Sequence, residues 1–183
     1  MRNVIFDINI SIDGCYEHTN FGPDEELYEY FTAIIKETDL TVYGRKTYEL
    51  MIPYWPDVAS APAESAAEHE FAQTLTGINR VVFSRTLGNA YENTRIIREN
   101  LEHEILKLKQ QPGKKIAIGG VNLASQLVKL GLVDEFYFVV RPAVVGKGKS
   151  LWDEFGVPER LNLKLVDTKV FKSGAVGLHY LKQ

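Results

Sequence analysis

Ile116-Ala117-Ile118-Gly119-Gly120, running on into Val121-Asn122-Leu123, is the stretch on which the fold turns. A short apolar run enters two glycines and leaves into a helical pattern from Asn122. Leu123, Leu127 and Leu130 then share one side, and Gly131 supplies a C-cap. Paired glycines between a strand and a helix let the backbone approach a phosphate. The free amides and the positive end of the helix then hold the anion. A glycine pair is also a common tight turn, so the reading depends on what else in the chain can face the same ligand.

Upstream, residues 4–11 alternate. Val4, Phe6, Ile8 and Ile10 fall on one face and Ile5, Asp7, Asn9 and Ser11 on the other, which predicts a strand. Ser11-Ile12-Asp13-Gly14 ends it in a turn. Asp24, after Pro23, reads as the N-cap of a helix to about Thr38, with Leu27, Phe31, Ile34 and Ile35 as its apolar stripe. Residues 40–43 predict a strand, and Gly44-Arg45-Lys46-Thr47 opens a short helix through Met51. Pro53, Pro56 and Pro62 then predict a loop. Further helices are expected over 65–75 and 101–110, with strands at 80–84, 115–118 and 135–140. Residues 161–171 and 175–181 form a hairpin turning at Lys172-Ser173-Gly174. Alternating strands and helices closed by an antiparallel pair predict a three-layer αβα sandwich. Its mixed sheet is mostly parallel, with antiparallel C-terminal strands.

The bulk properties narrow the function classes. A chain of 183 residues, 45% hydrophobic and 25% charged, is of a size to fold as one domain over 1–183. A net charge of −3 gives no general attraction to nucleic acid or to an anionic membrane. The single cysteine, Cys15, cannot close an intrachain disulfide, and no apolar run reaches bilayer length. The expectation is a cytoplasmic protein acting on a small molecule. His18, His69, His103 and His179 are scattered and lack cysteine partners, so no metal site is expected. Gly146-Lys147-Gly148-Lys149-Ser150 ends like a nucleotide-triphosphate loop, but Ala143 stands where its first glycine is required.

Ligands of parallel sheets sit at the carboxyl ends of the strands, and three such ends carry anion chemistry. Gly44, Arg45, Lys46 and Thr47 follow the second strand, and Ser84, Arg85 and Thr86 follow the third. Gly119 and Gly120 follow the later one. Two cations in a first helical turn oppose the helix dipole and call for an anionic partner. A ligand with a pyrophosphate and a separate phosphate, such as NADPH, suits the set.

Gly44-Arg45-Lys46-Thr47-Tyr48-Glu49 resembles the G-R-x-T-[WY]-E motif of dihydrofolate reductases. Val81-Val82-Phe83-Ser84 and Ile116-Ala117-Ile118-Gly119-Gly120 resemble the other two cofactor strands of that fold, in the same order. Ser11-Ile12-Asp13-Gly14, Gly131-Leu132-Val133-Asp134-Glu135 and Arg141-Pro142-Ala143-Val144-Val145-Gly146 are closer to the reductase domain of bifunctional riboflavin-biosynthesis deaminase–reductases. The resemblance covers essentially the whole chain. It implies the dihydrofolate-reductase-like fold, NADPH, and an activity like that of 5-amino-6-(5-phosphoribosylamino)uracil reductase on a pyrimidine- or pterin-like or carbonyl substrate. Carried over by position, Gly44, Arg45, Lys46 and Thr47 bind phosphates, with Arg45 nearest the 2′-phosphate. Ser84 and Arg85 lie along the adenosine, Gly119, Gly120, Val121 and Asn122 wrap the pyrophosphate, and Ser150 adds a later hydroxyl.

The chain also departs from these patterns. Ile78 stands where folate reductases carry the arginine that grips the glutamate tail, which counts against folate. Ile118 stands where the deaminase–reductases place a glutamate. Asp13, at the mouth of the first strand, and Glu25, in the first helix, are the candidate catalytic carboxylates. Two alternatives to this reductase are a dinucleotide-binding regulatory module without turnover and a true dihydrofolate reductase. The resemblance and the β-rich segments 135–145 and 161–181 lead to a homodimer as the expected assembly.

Overall fold

The computed structural model describes residues 1–17, 21–22, 24–62, 65–156 and 160–183; His18 and Pro23 lie outside them. The elements in chain order are β1 (Val4–Ser11), α1 (Glu25–Lys36), β2 (Thr38–Gly44), α2 (Arg45–Ser60), α3 (Ala66–Gly77), β3 (Asn79–Phe83) and β4 (Thr94–Ile97). They continue with α4 (Leu101–Gln110), β5 (Lys115–Gly119), α5 (Val121–Lys129), β6 (Glu135–Arg141), α6 (Leu151–Phe155), β7 (Leu163–Val170) and β8 (Val176–Lys182). The strands form one sheet in the order β4-β3-β2-β5-β1-β6-β8-β7. Every pairing from β4 to β6 is parallel, and β6–β8 and β8–β7 are antiparallel. This is the expected mixed α/β architecture.

The alternation of β1 sorts the two faces. Val4, Phe6 and Ile10 enter a cluster with Ile116 and Ile118 of β5, Leu123 and Leu127 of α5, and Leu151 and Phe155 of α6. Ile5 enters the opposite cluster with Leu27, Phe31, Ile34 and Ile35 of α1, Phe71 and Leu75 of α3, and Ala117. At about 25 cal/mol per Å² of apolar surface buried, these two layers supply most of the drive to fold. The predicted N-cap is in place: the Asp24 side chain accepts from the Leu27 amide at 3.3 Å.

One expectation needs correction, and two elements were not foreseen. The helix opened by Gly44 does not stop at Met51; it runs to Ser60 with Pro53 and Pro56 inside it. Each proline removes a backbone donor, yet Tyr48 and Ile52 are sealed in the core and Trp55 packs edge-on to Phe71 at 4.7 Å. That packing carries the helix across positions that local preference would break. Thr94–Ile97 forms the edge strand β4, too short and too polar in its surroundings to be read from alternation. Leu151–Phe155 adds a one-turn helix capped by Ser150. Among the described residues no helix is long and apolar enough to cross a membrane.

Candidate functional site

Sheet register brings three strand ends together. Tyr43 of β2 pairs with Gly119 of β5, and Gly44 of β2 pairs with Phe83 of β3. The residues following those ends are therefore neighbours, although they are spread over about half of the sequence. Both glycines of the pair are required by geometry. A Cβ on Gly119 would enter the Tyr43 ring, and one on Gly120, where φ is +111°, would strike Thr47 Oγ1. The second glycine thus lets the start of α5 close onto the start of α2.

Both helix starts lack a side-chain cap and an acid. Gly44 and Gly120 are the N-caps of α2 and α5; neither offers a capping side chain, and neither first turn holds an acidic residue. Unsatisfied amides and two positive dipole ends therefore converge beside Thr47. Arg45 and Lys46 are exposed on the first turn of α2. Arg45 is held by Glu49, with Nη1 3.1 Å from both carboxylate oxygens. An exposed i,i+4 pair of this kind is worth about 0.3–0.5 kcal/mol, so Glu49 holds the guanidinium only loosely. Asn122 is exposed and accepts from Gln126 Nε2 at 2.9 Å, whereas the Val121 side chain is buried in the core. Only the main chain of Val121 is thus offered at the helix start.

The third strand end is built as a turn. Ser84 is buried, and its hydroxyl accepts from the Thr86 amide at 3.2 Å and the Leu87 amide at 2.9 Å. Arg98, which sequence reading passed over, braces the same turn by donating to the carbonyls of Arg85 and Leu87 at 3.1 Å each. Its position directly after β4 is the signal, visible only once that strand is recognised. Arg85 stands exposed on the braced turn.

Asp13, Glu25 and Ser150 each bond to residues outside the three strand ends. The exposed Asp13 carboxylate accepts from Ser11 Oγ at 2.6 Å, Gly146 N at 2.7 Å and Val145 N at 3.1 Å, tying the β1 turn to the loop after β6. These hydrogen bonds, that of Ser11 foremost, hold the acid down at about 2. Glu25 is exposed and receives Ser65 Oγ at 3.1 Å, joining α1 to the cap of α3. Ser150 caps α6 through the Trp152 amide at 3.2 Å and pairs with Cys15 beside the β1 turn. An apolar cavity of about 630 Å³ lies over β6 and β8 beside α6, lined by Phe138, Trp152, Phe155 and Tyr180 among others. It contains none of the candidate residues.

The RibD C-terminal domain pattern matches residues 2–176. The uncharacterized protein YyaP of Bacillus subtilis (strain 168) is 34% identical over 183 residues, covering 98% of this chain and 94% of its own. Among solved structures, a Shewanella sp. PV-4 protein whose name places it in riboflavin biosynthesis superposes with a TM-score of 0.74 at 18% identity, over 100% of this chain and 99% of that one. A pyrimidine reductase-like protein from Corynebacterium diphtheriae follows at 0.67 and 16%, over 100% and 92%. RibD of Acinetobacter baumannii gives 0.66 and 16%, with this chain covering 58% of it. At such identities the superpositions speak for the fold, while the sequence pattern spans almost the whole chain: the protein belongs to the RibD C-terminal domain family.

Proposed function

We propose that the chain is an NADPH-dependent reductase, riboflavin-pathway-like in its chemistry, acting on a small pyrimidine- or pterin-like heterocycle or carbonyl compound. The observation that carries this reading is the closure of Gly120 on Thr47 between two uncapped helix starts. A pyrophosphate fits there: a Cβ would fill the cradle, and the first-turn amides have no acidic competitor. Gly44, Thr47, Gly119, Gly120 and the amides of Val121 and Asn122 would hold the pyrophosphate. Arg45, with Lys46 beside it, would take the 2′-phosphate in exchange for Glu49, and Ser84 with Arg85 would border the adenosine. When bound, NADPH supplies a hydride to the substrate.

Ile118, buried in the core next to the pair, offers no polar contact to a substrate, so substrate recognition has to come from elsewhere in the site. The reading is tested by following dihydronicotinamide absorbance with pure protein against pterins, ribosylaminopyrimidines and quinone-like carbonyls. Turnover of any member supports a reductase. Saturable NADPH binding with no turnover across the panel would favour a dinucleotide-binding module instead.

A further inference from the structure

β1 is the fifth of eight strands, yet its middle is only partly covered. Val4–Phe6 and Ile10–Ser11 are buried, whereas Asp7, Ile8 and Asn9 are partly accessible. Alternation puts the Asp7 and Asn9 side chains on the same face as Ile5, which packs under α1 and α3. Asn9 Oδ1 is buried and has no hydrogen-bond partner. A buried acceptor left unmatched is costly, and an incoming donor removes that cost.

Asp7 shares the neighbourhood of the glycine pair. Phe6 of β1 pairs with Ile118 of β5, so Asp7 lies level with Gly119, and Tyr137 of β6 is its register partner on the other side. Tyr43 is the residue whose ring occupies the space over Gly119. Burial raises the Asp7 carboxyl to about 6. At neutral pH roughly a tenth of such a group carries its proton, against about one in a thousand for an ordinary aspartate.

Strand order then supplies a direction. β3, β2, β5 and β1 are consecutive in the sheet. A dinucleotide with its adenosine at Ser84–Arg85 and its pyrophosphate between β2 and β5 has its other end at β1. Resting on the reductase reading above, we propose that Asp7 and Asn9 are the reaction-side floor of the site: Asn9 Oδ1 accepts an N–H of the substrate, and the Asp7 carboxyl donates the proton that accompanies reduction. Hydride addition to the carbon of a C=N or C=O bond leaves the π electron pair on the adjoining nitrogen or oxygen. That atom takes the Asp7 proton, and solvent reprotonates the carboxylate.

The test is a carbon-13 titration of the aspartate carboxyls in the free chain and with NADPH or NADP+ bound. Asp7→Asn, which keeps the side-chain size, assigns the signal. The expected result is a midpoint near 6 for Asp7 in the free chain. It should lie lower by roughly half a unit or more with NADP+ than with NADPH, because only the oxidised ring is cationic and would sit beside the carboxylate. Asp7→Asn should also cost at least about tenfold in reduction rate, with the alkaline fall of the pH profile lost. Binding of both dinucleotides with identical Asp7 midpoints would overturn this assignment and leave the cofactor reading standing. Failure of either dinucleotide to bind would remove the reading itself, and the assignment with it.

Discussion

Gly120 meets Thr47 so closely that a single added methyl group would strike the threonine hydroxyl, and this contact joins the N-terminal ends of α5 and α2. Because Gly120 also has φ of +111°, alanine there is penalised by backbone conformation as well as by contact. Gly120→Ala is expected to lose about 1–3 kcal/mol of stability in denaturant unfolding. At temperatures where the variant remains folded, NADPH affinity should fall by about tenfold or more. An unchanged affinity would place the pyrophosphate elsewhere.

Arg45 is the residue we propose to read the 2′-phosphate. Its surface pairing with Glu49 is weak enough to be displaced by a doubly charged group. Arg45→Ala should therefore weaken NADPH by about tenfold or more and leave NADH within about twofold, as measured by paired fluorescence titrations. Equal losses for the two dinucleotides would refute the assignment.

Asp13 is a structural clamp with a pH signature of its own. Its folded-state acid strength is raised by Ser11, Gly146 and Val145, so its value falls from 3.8 to about 2. A depressed folded value contributes stability that is fully present above the unfolded value. That stability is lost as pH falls from about 4 towards 2. Asp13→Asn is expected to lower the melting temperature at pH 7, and the difference from the unsubstituted chain should close over that acid window. A difference independent of pH would mean that the ionised hydrogen bonds carry none of the effect.

Asp7 behaves in the opposite sense. Its folded value is raised from 3.8 to about 6, so folding favours the protonated acid. Above about pH 6 the ionised form costs the folded state on the order of 2–3 kcal/mol, and the cost fades as pH falls towards 4. Asp7→Asn should be more stable than the unsubstituted chain at pH 7 and comparable to it near pH 4, by denaturant melts at both values. Lower stability at pH 7 would show that the carboxylate is satisfied where it stands.

Much of this was legible in the chain because the signals were local. The alternation over residues 4–11, the Asp24 cap and the glycine pair each specify their own few residues, and the structure holds them as strand, capped helix and strand-to-helix turn. The long helix α2 was hidden because Pro53 and Pro56 dominate local preference, whereas Tyr48, Ile52 and Trp55 act through packing against distant residues. At the site, residue types could nominate Gly44–Thr47 and Gly119–Asn122, but only register shows Tyr43 beside Gly119. The alternating pattern likewise put Asp7 and Asn9 on one face without revealing that the middle of this central strand is incompletely covered and leaves Asn9 Oδ1 without a partner. Asp13 drew notice through its exposed turn, and two of its three hydrogen bonds, to Val145 and Gly146, follow from a loop distant in sequence.

The central claim is that the joined ends of β2, β3 and β5 hold a phosphorylated dinucleotide. Calorimetric titration of the unaltered chain with NADPH tests it most directly, with NADH in parallel and Gly120→Ala as the comparison. The account predicts saturable binding of one NADPH per chain, weaker binding of NADH, and loss of most of the affinity in the variant. No saturable heat at micromolar protein, with NADPH fluorescence also unchanged, would contradict it.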